Sequence, residues 1–192
     1  MYRHWCLLLA VLPLFSGCAE LAQPASRAIL DTQTGSTLLL VTRPLVFARQ
    51  RMDVAAFARD YATLVTVELD VAGNYSDYLL LYRWSTVDKR MSSPPESSAG
   101  ELQIEADGRK LVLLPLAQLP VAVAGRDELY LPPHADVVTF GYKTDAATLR
   151  VIALSQRIVV RMPQERLDMP FGLREDGRTS LRDFLRDQGL VQ

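Results

Sequence analysis

Few residues of this chain combine the type and spacing that chemistry requires. The densest polar cluster at the end of an apolar run is Trp84-Ser85-Thr86-Val87-Asp88-Lys89-Arg90. Aromatic and guanidinium groups at a strand end can anchor a partner, and a carboxylate there can pair with a cation. Trp84, Asp88, Lys89 and Arg90 are therefore a candidate partner-binding rim, against the plainer reading of a strand that leaves the core into a charged turn. Arg59-Asp60-Tyr61 could lie near that rim, with Arg59 and Asp60 as a buried pair or simply exposed. Glu68 and Asp70 share one strand face, as the acid and base of a carboxylate-dependent hydrolase would, although alternation alone predicts that this face is solvated. His134 sits in Pro132-Pro133-His134-Ala135-Asp136, which reads as an exposed loop. A serine hydrolase would need it as base, yet no G-x-S-x-G elbow presents a serine, and a zinc site needs three or four ligands where His134 offers one. No Gly-rich phosphate loop or Cys-x-x-Cys pair is present. No catalytic residue is assigned, and neither a cofactor nor a metal is expected.

The most informative residue is Cys18. Arg3 and the amino terminus precede an apolar run from Trp5 to Phe15, interrupted only by Pro13, which is the pattern of a secretory signal. Eleven residues are too few for a spanning helix, which needs about 20 at 1.5 Å each. The segment ends in Leu14-Phe15-Ser16-Gly17-Cys18, where the small Ser16 and Gly17 suit an extended chain in a peptidase cleft. This arrangement resembles the lipobox of bacterial lipoproteins, with Phe15 standing where that family usually carries Leu. The resemblance is confined to this segment. It implies cleavage before Cys18, a diacylglyceryl group on the sulfur and fatty acylation of the new amino terminus. Ala19, rather than Asp, follows the cysteine, which by the same resemblance implies the outer membrane and a protein facing the periplasm. One acyl chain anchors marginally, at about 0.8 kcal/mol per buried methylene, while two or more hold firmly. The competing reading is an ordinary signal peptide cut nearby, for instance after Ala19, with Cys18 a spectator.

Composition bounds the rest. Residues 1–17 are read as signal, 18–36 as a flexible tether and 37–192 as one β-rich globular domain, long enough to bury about 70% of its unfolded surface. A formal net charge of −1 argues against broad binding to nucleic acid or anionic lipid. With Cys6 in the signal and Cys18 acylated, no disulfide is expected.

The elements follow from periodicity. Thr37–Val41 and Leu45–Arg49 favour strand, split by Pro44, and a short helical turn could form around Arg27–Leu30. Val65, Val67, Leu69 and Val71 alternate with polar residues, and a return strand carries Tyr78, Leu80, Tyr82 and Trp84 on one face. Leu79 to Leu81 are apolar on both faces, which predicts a central strand covered on both sides. Asp88–Gly100 is poor in apolar residues and reads as a loop, whereas Asp107-Gly108 predicts a type I′ hairpin between 101–106 and 109–114. Val137–Lys143 is a further strand, Asp145 caps a helix bearing Leu149, Ile152 and Ala153, and 157–162 with 166–173 form a hairpin. A last helix is capped by Thr179 or Ser180, carries Leu181, Phe184 and Leu185, and stops at Gly189.

The expected fold is mainly β, an antiparallel sandwich-like single domain with two short helices late in the chain. The expected role is a lipid-anchored, non-enzymatic binding or structural module of the cell envelope, with the bilayer and another envelope protein as partners and no nucleic acid. The alternatives are a module that holds an apolar small ligand between the sheets and, last, the carboxylate-dependent hydrolase.

Overall fold

A computed structural model describes residues 24–87, 100–133, 136–165 and 169–191. The chain is mainly β and antiparallel, with two helices late in a single domain, as its alternation predicts. Its longest elements are β4 (Arg59–Val71) and β5 (Asn74–Ser85), paired in register from Asp60↔Ser85 to Val71↔Asn74. The turn between them is Ala72-Gly73, both at positive φ (53° and 85°). Those values match the right-handed twist of the flanking strands, and Asp70 Oδ1 accepts the Gly73 N–H at 2.7 Å.

The free side of β4 pairs with two successive strands: β2 (Ser36–Val41) along Thr37↔Asp70 to Leu40↔Val67, and β3 (Leu45–Gln50) along Leu45↔Leu64 to Gln50↔Arg59. Pro44, with no N–H to donate, lies in the joint between them. β1 (Ser26–Asp31) pairs with β2 over its whole length. This corrects both the tether to residue 36 and the helical turn at 27–30. The polar composition that suggested a tether is met by partners: Asp31 takes Arg126 at 2.6 Å and Thr34 at 2.5 Å, and Arg27 donates to the Glu128 carbonyl at 2.5 Å.

On the other side β5 pairs with β8 (Val138–Thr144). The hairpin of β6 (Leu102–Ala106) and β7 (Arg109–Leu113) turns at Asp107 and Gly108, again both at positive φ, as expected. β9 (Ile158–Arg161) and β10 (Phe171–Glu175) pair with each other and link β6 to β3. The path then closes, because Pro115 bridges to Tyr142 and the Leu116 N–H bonds the Gly141 carbonyl at 2.8 Å. Eight strands therefore form a ring, β8-β5-β4-β3-β10-β9-β6-β7 and back to β8, with β2 and β1 continuing the sheet from β4.

Alternation along this sheet builds two apolar layers. The inner one gathers Phe47, Ala62, Leu64, Leu79, Leu81, Phe140, Tyr142, Val160 and Phe171, all buried. The outer one gathers Leu38, Leu40, Val65, Val67, Leu69, Tyr78, Leu80 and Tyr82 beneath Ala122, Val123 and Leu129 of the segment that follows β7. β4 is thus covered on both faces: Thr66, placed on the expected solvated face, is 5% exposed because its parity with Ala62 and Leu64 points it inward. Gly141 makes room for the covering segment, since a Cβ there would stand 2.2 Å from Leu119 Cδ2.

Two helices close one end of the ring. α1 (Ala146–Leu154) starts at Asp145, whose Oδ1 accepts the Thr148 N–H at 2.7 Å, and buries Leu149, Ile152 and Ala153 as expected. α2 (Arg178–Asp187) buries Leu181, Phe184 and Leu185. Its end is the expected Schellman arrangement, with Leu190 N–H to Leu185 carbonyl and Gly189 N–H to Arg186 carbonyl, each 2.8 Å, and Gly189 at φ 72°. Its beginning differs: the N-cap is Gly177, not Thr179 or Ser180. A Cβ at Gly177 would lie 2.3 Å from the Arg43 carbonyl oxygen and 2.4 Å from that of Pro44, so backbone approach selects glycine over a capping side chain.

Candidate functional site

Opposite the helices, the interior of the ring ends in charge. Arg49 of β3, Asp60 of β4 and Arg83 of β5 continue the inward rows of Phe47, Ala62 and Leu81, and Glu165, after β9, reaches them from the far side. Arg49 holds Asp60 Oδ2 through Nη2 at 2.9 Å and Nε at 3.1 Å, and holds Glu165 Oε2 at 2.6 Å. Arg83 Nη2 pairs with Glu165 Oε1, while Arg51 Nη1 reaches Asp60 Oδ2 at 3.3 Å and Arg51 Nη2 grips Asp53 at 2.8 Å. Ser85 Oγ donates to Asp60 Oδ1 at 2.8 Å, and the Arg49 guanidinium lies 4.3 Å from the centroid of the Phe171 ring. The side chains of Arg49, Arg83 and Glu165 are 4–7% exposed.

Among the described residues three guanidiniums here face three carboxylates, whose formal charges sum to zero. Burial pushes the Arg83 guanidinium below its ordinary pKa, opposed by the attraction of Glu165. Arg83 Nε is buried and has no hydrogen-bond partner among the described residues. The Glu165 oxygens are held at ion-pair distance but outside hydrogen-bond geometry. Asp60 and Glu165 both have their carboxylate oxygens facing guanidiniums. The arrangement is an ionic plug that ties the ends of β3, β4 and β5 to Glu165.

The partner-binding rim is only partly within the described residues, since Asp88, Lys89 and Arg90 fall outside them, as do the expected lipidation site Cys18, the body of the Asp88–Gly100 loop and His134. Trp84 is described, and it is not an open anchor. It is 7% exposed and stacked on Tyr61 across the strand pair, with ring centroids 3.8 Å apart and planes 3° from parallel. Arg59 does not pair with Asp60 either: Asp60 turns inward to Arg49 and Arg51, while the Arg59 backbone N–H bonds Thr86 Oγ1 at 2.9 Å. No sequence motif marks Arg49, Arg83 or Glu165. The available signal was parity, because Arg83 follows Leu79 and Leu81 on one face.

Glu68 and Asp70, the acid–base candidates, also separate by environment. Asp70 serves the turn, whereas Glu68 accepts from Gln188 Nε2 of the α2 terminus at 2.5 Å. Beside Glu68 in register is Asp77, and beyond Asp77 is Thr144; Asp77 Oδ1 and Thr144 Oγ1 are buried atoms without a hydrogen-bond partner among the described residues. Burial, then the charges of Glu68 and Asp145, push the Asp77 carboxyl up to about 6.

The interior between the strands, the place that the alternative reading gives to an apolar ligand, holds the large buried side chains of Tyr142, Phe47, Phe171 and Phe184, each less than 2% exposed. A shallow groove of about 340 Å³ lies instead on the outer face, lined by Tyr78, Leu116, Gln118, Leu119, Pro120, Val121 and Lys143. Among the described residues no helix is long and apolar enough to cross a membrane, and no group of three or more His, Cys, Asp or Glu could hold a metal ion. Comparison with protein-family models, with curated proteins and with solved structures finds no match for the chain.

Proposed function

We propose that this chain is a periplasm-facing lipoprotein of the outer membrane, held by an acylated Cys18 and acting as a non-enzymatic binding or structural module of the cell envelope. The observation that carries the reading is the apolar segment ending in Leu14-Phe15-Ser16-Gly17-Cys18, followed within a few residues by a folded domain that begins at β1. The mutual neutralisation of Arg49, Arg51, Arg83, Asp53, Asp60 and Glu165 supports a structural rather than catalytic use of the buried charges. Mass analysis of the protein from native membranes tests the anchor. An amino-terminal peptide starting at an acylated Cys18 is expected, and an unmodified thiol or a protein free in the periplasmic fluid refutes it. Cross-linking in intact cells tests the role, and the absence of any stoichiometric envelope partner counts against it.

A second reading, an apolar-ligand module, draws on the outer groove, where Leu116, Leu119, Pro120 and Val121 meet a single lysine, Lys143. Saturable binding of an apolar fluorescent probe, lost in Leu116→Asp, supports it; non-saturable binding removes it.

A further inference from the structure

The end of the ring that carries the ionic plug also carries an apolar tip. Between β3 and β4 the chain makes a tight turn in which Arg51 N–H bonds the Ala58 carbonyl at 2.9 Å, Val54 N–H bonds the Arg51 carbonyl at 2.9 Å and Ala58 N–H bonds the Ala55 carbonyl at 3.0 Å. The Arg51–Asp53 pair fixes the same turn from its side. This braced turn holds Phe57 85% exposed and Met52 68% exposed. Met169 is 49% exposed just before β10, which runs antiparallel to β3 and so starts at the same end. Three large apolar groups exposed at one end of a domain are the kind of feature that marks a surface meeting a partner or a membrane.

The direction of β1 indicates what covers them. β1 is antiparallel to β2, and β2 is antiparallel to β4, so β1 runs with β4, away from the tip. The chain before Ser26 therefore approaches from the tip side. Thr42 receives it there, its N–H bonding the Ala25 carbonyl at 3.0 Å and its hydroxyl the Pro24 carbonyl at 2.7 Å. Ser26 pairs with Val41, one residue beyond the Leu40↔Val67 pair, which sets it level with Thr66. From that level to Arg59 the sheet extends seven residues, or about 23 Å at 3.3 Å each. From Cys18 to Ser26 the chain covers eight steps, which reach about 26–29 Å when fully extended. Even fully stretched, an anchor at Cys18 therefore keeps the bilayer within a few ångströms of the level of Arg59, the end from which the β3–β4 turn projects.

We propose that the β3–β4 turn seats Phe57 and Met52 in the membrane interface, so that the domain stands on the bilayer with its ionic plug toward the lipid and its helices away from it. The inference rests on the anchoring of Cys18. Burying a Phe side chain contributes about 1.5–3 kcal/mol, too little to hold a protein alone but enough to orient one already tethered.

The test uses the mature acylated protein in vesicles of phosphatidylethanolamine and phosphatidylglycerol. With Cys18 acylated and Cys6 removed with the signal, Phe57→Cys supplies the single free thiol for an environment-sensitive dye, and Leu154→Cys on α1, 51% exposed, supplies the control at the far end. Quenching by bromine-labelled lipid should be about twofold or more stronger at position 57 than at 154, as for a group roughly 5–10 Å inside the headgroup boundary. Equal quenching at the two positions, in a protein that carries its acyl chains and floats with the vesicles, overturns the seated tip and leaves the anchor standing. Dye at position 57 that is shielded in whole envelopes but not by vesicles also overturns it, in favour of a protein partner. A protein that does not float and whose Cys18 is unmodified removes the anchor itself, and the inference with it.

Discussion

Replacing Glu165 by Gln tests the reading of the charged end as a balanced plug. The side chain is 4% exposed and neutralises two guanidiniums, Arg49 at 2.6 Å and Arg83 closer still. Gln keeps the shape and two polar atoms but removes the negative charge that faces both guanidiniums. Two opposite charges about 4 Å apart attract by roughly 4 kcal/mol at an effective dielectric of 20, and part of that is offset by the relieved desolvation of the carboxylate. Removing one partner of a buried pair costs about 3–5 kcal/mol. For a domain of this size that lowers Tm by about 6–20 °C, at roughly 2–4 °C per kcal/mol. Urea unfolding followed by circular dichroism should show a lower midpoint with an unchanged slope, which separates lost stability from a changed denatured state. The double variant Arg83→Met with Glu165→Met is the sharper half of the experiment. It leaves Arg49 and Arg51 facing Asp60 and Asp53, a balanced set, so it should be less destabilised than the Glu165→Gln single variant. A loss below about 1 kcal/mol for Glu165→Gln, or a double variant less stable than the two single variants added together, refutes the reasoning.

Three further outcomes follow from the geometry. Ala72→Asn should raise stability by about 0.5–1 kcal/mol in chemical denaturation, because Ala72 sits at φ 53°, where asparagine is better tolerated than alanine. Gly177→Ala should cost several kcal/mol, roughly 2–4, in the same measurement, since its Cβ would meet two backbone carbonyl oxygens. Asp77, with its carboxyl raised to about 6 in the folded state, favours folding while protonated, so its contribution is complete at acid pH and is lost as pH rises through about 6. Asp77→Asn should therefore gain on the wild type between pH 4 and pH 7.5, by about 1 kcal/mol once solvent screening of a half-buried group is allowed for. A difference between the two proteins that does not change with pH refutes the assignment.

The features legible in the residues are those decided within a few positions of chain. Asp107-Gly108 specifies its turn, Asp145 its helix start and Gly189-Leu190 its helix end, because each works through a hydrogen bond or a φ value set by neighbours. Alternation likewise marked which residues of β4 and β5 share a face, and hence an antiparallel β domain with two late helices. Period two does not say which faces will be covered. The row Ala62, Leu64, Thr66 became interior only because the sheet closes at Pro115 and Tyr142, and a stretch resembling a tether became β1 because Arg126 and the edge of β2 were there to receive it. The meeting of Arg49, Arg83 and Glu165 depends on strands brought together from distant parts of the chain, whereas Trp84 meets Tyr61 across the single β4–β5 hairpin. Charge pairing acts through space, so residues far apart in the chain acquire these roles only when the ring has formed.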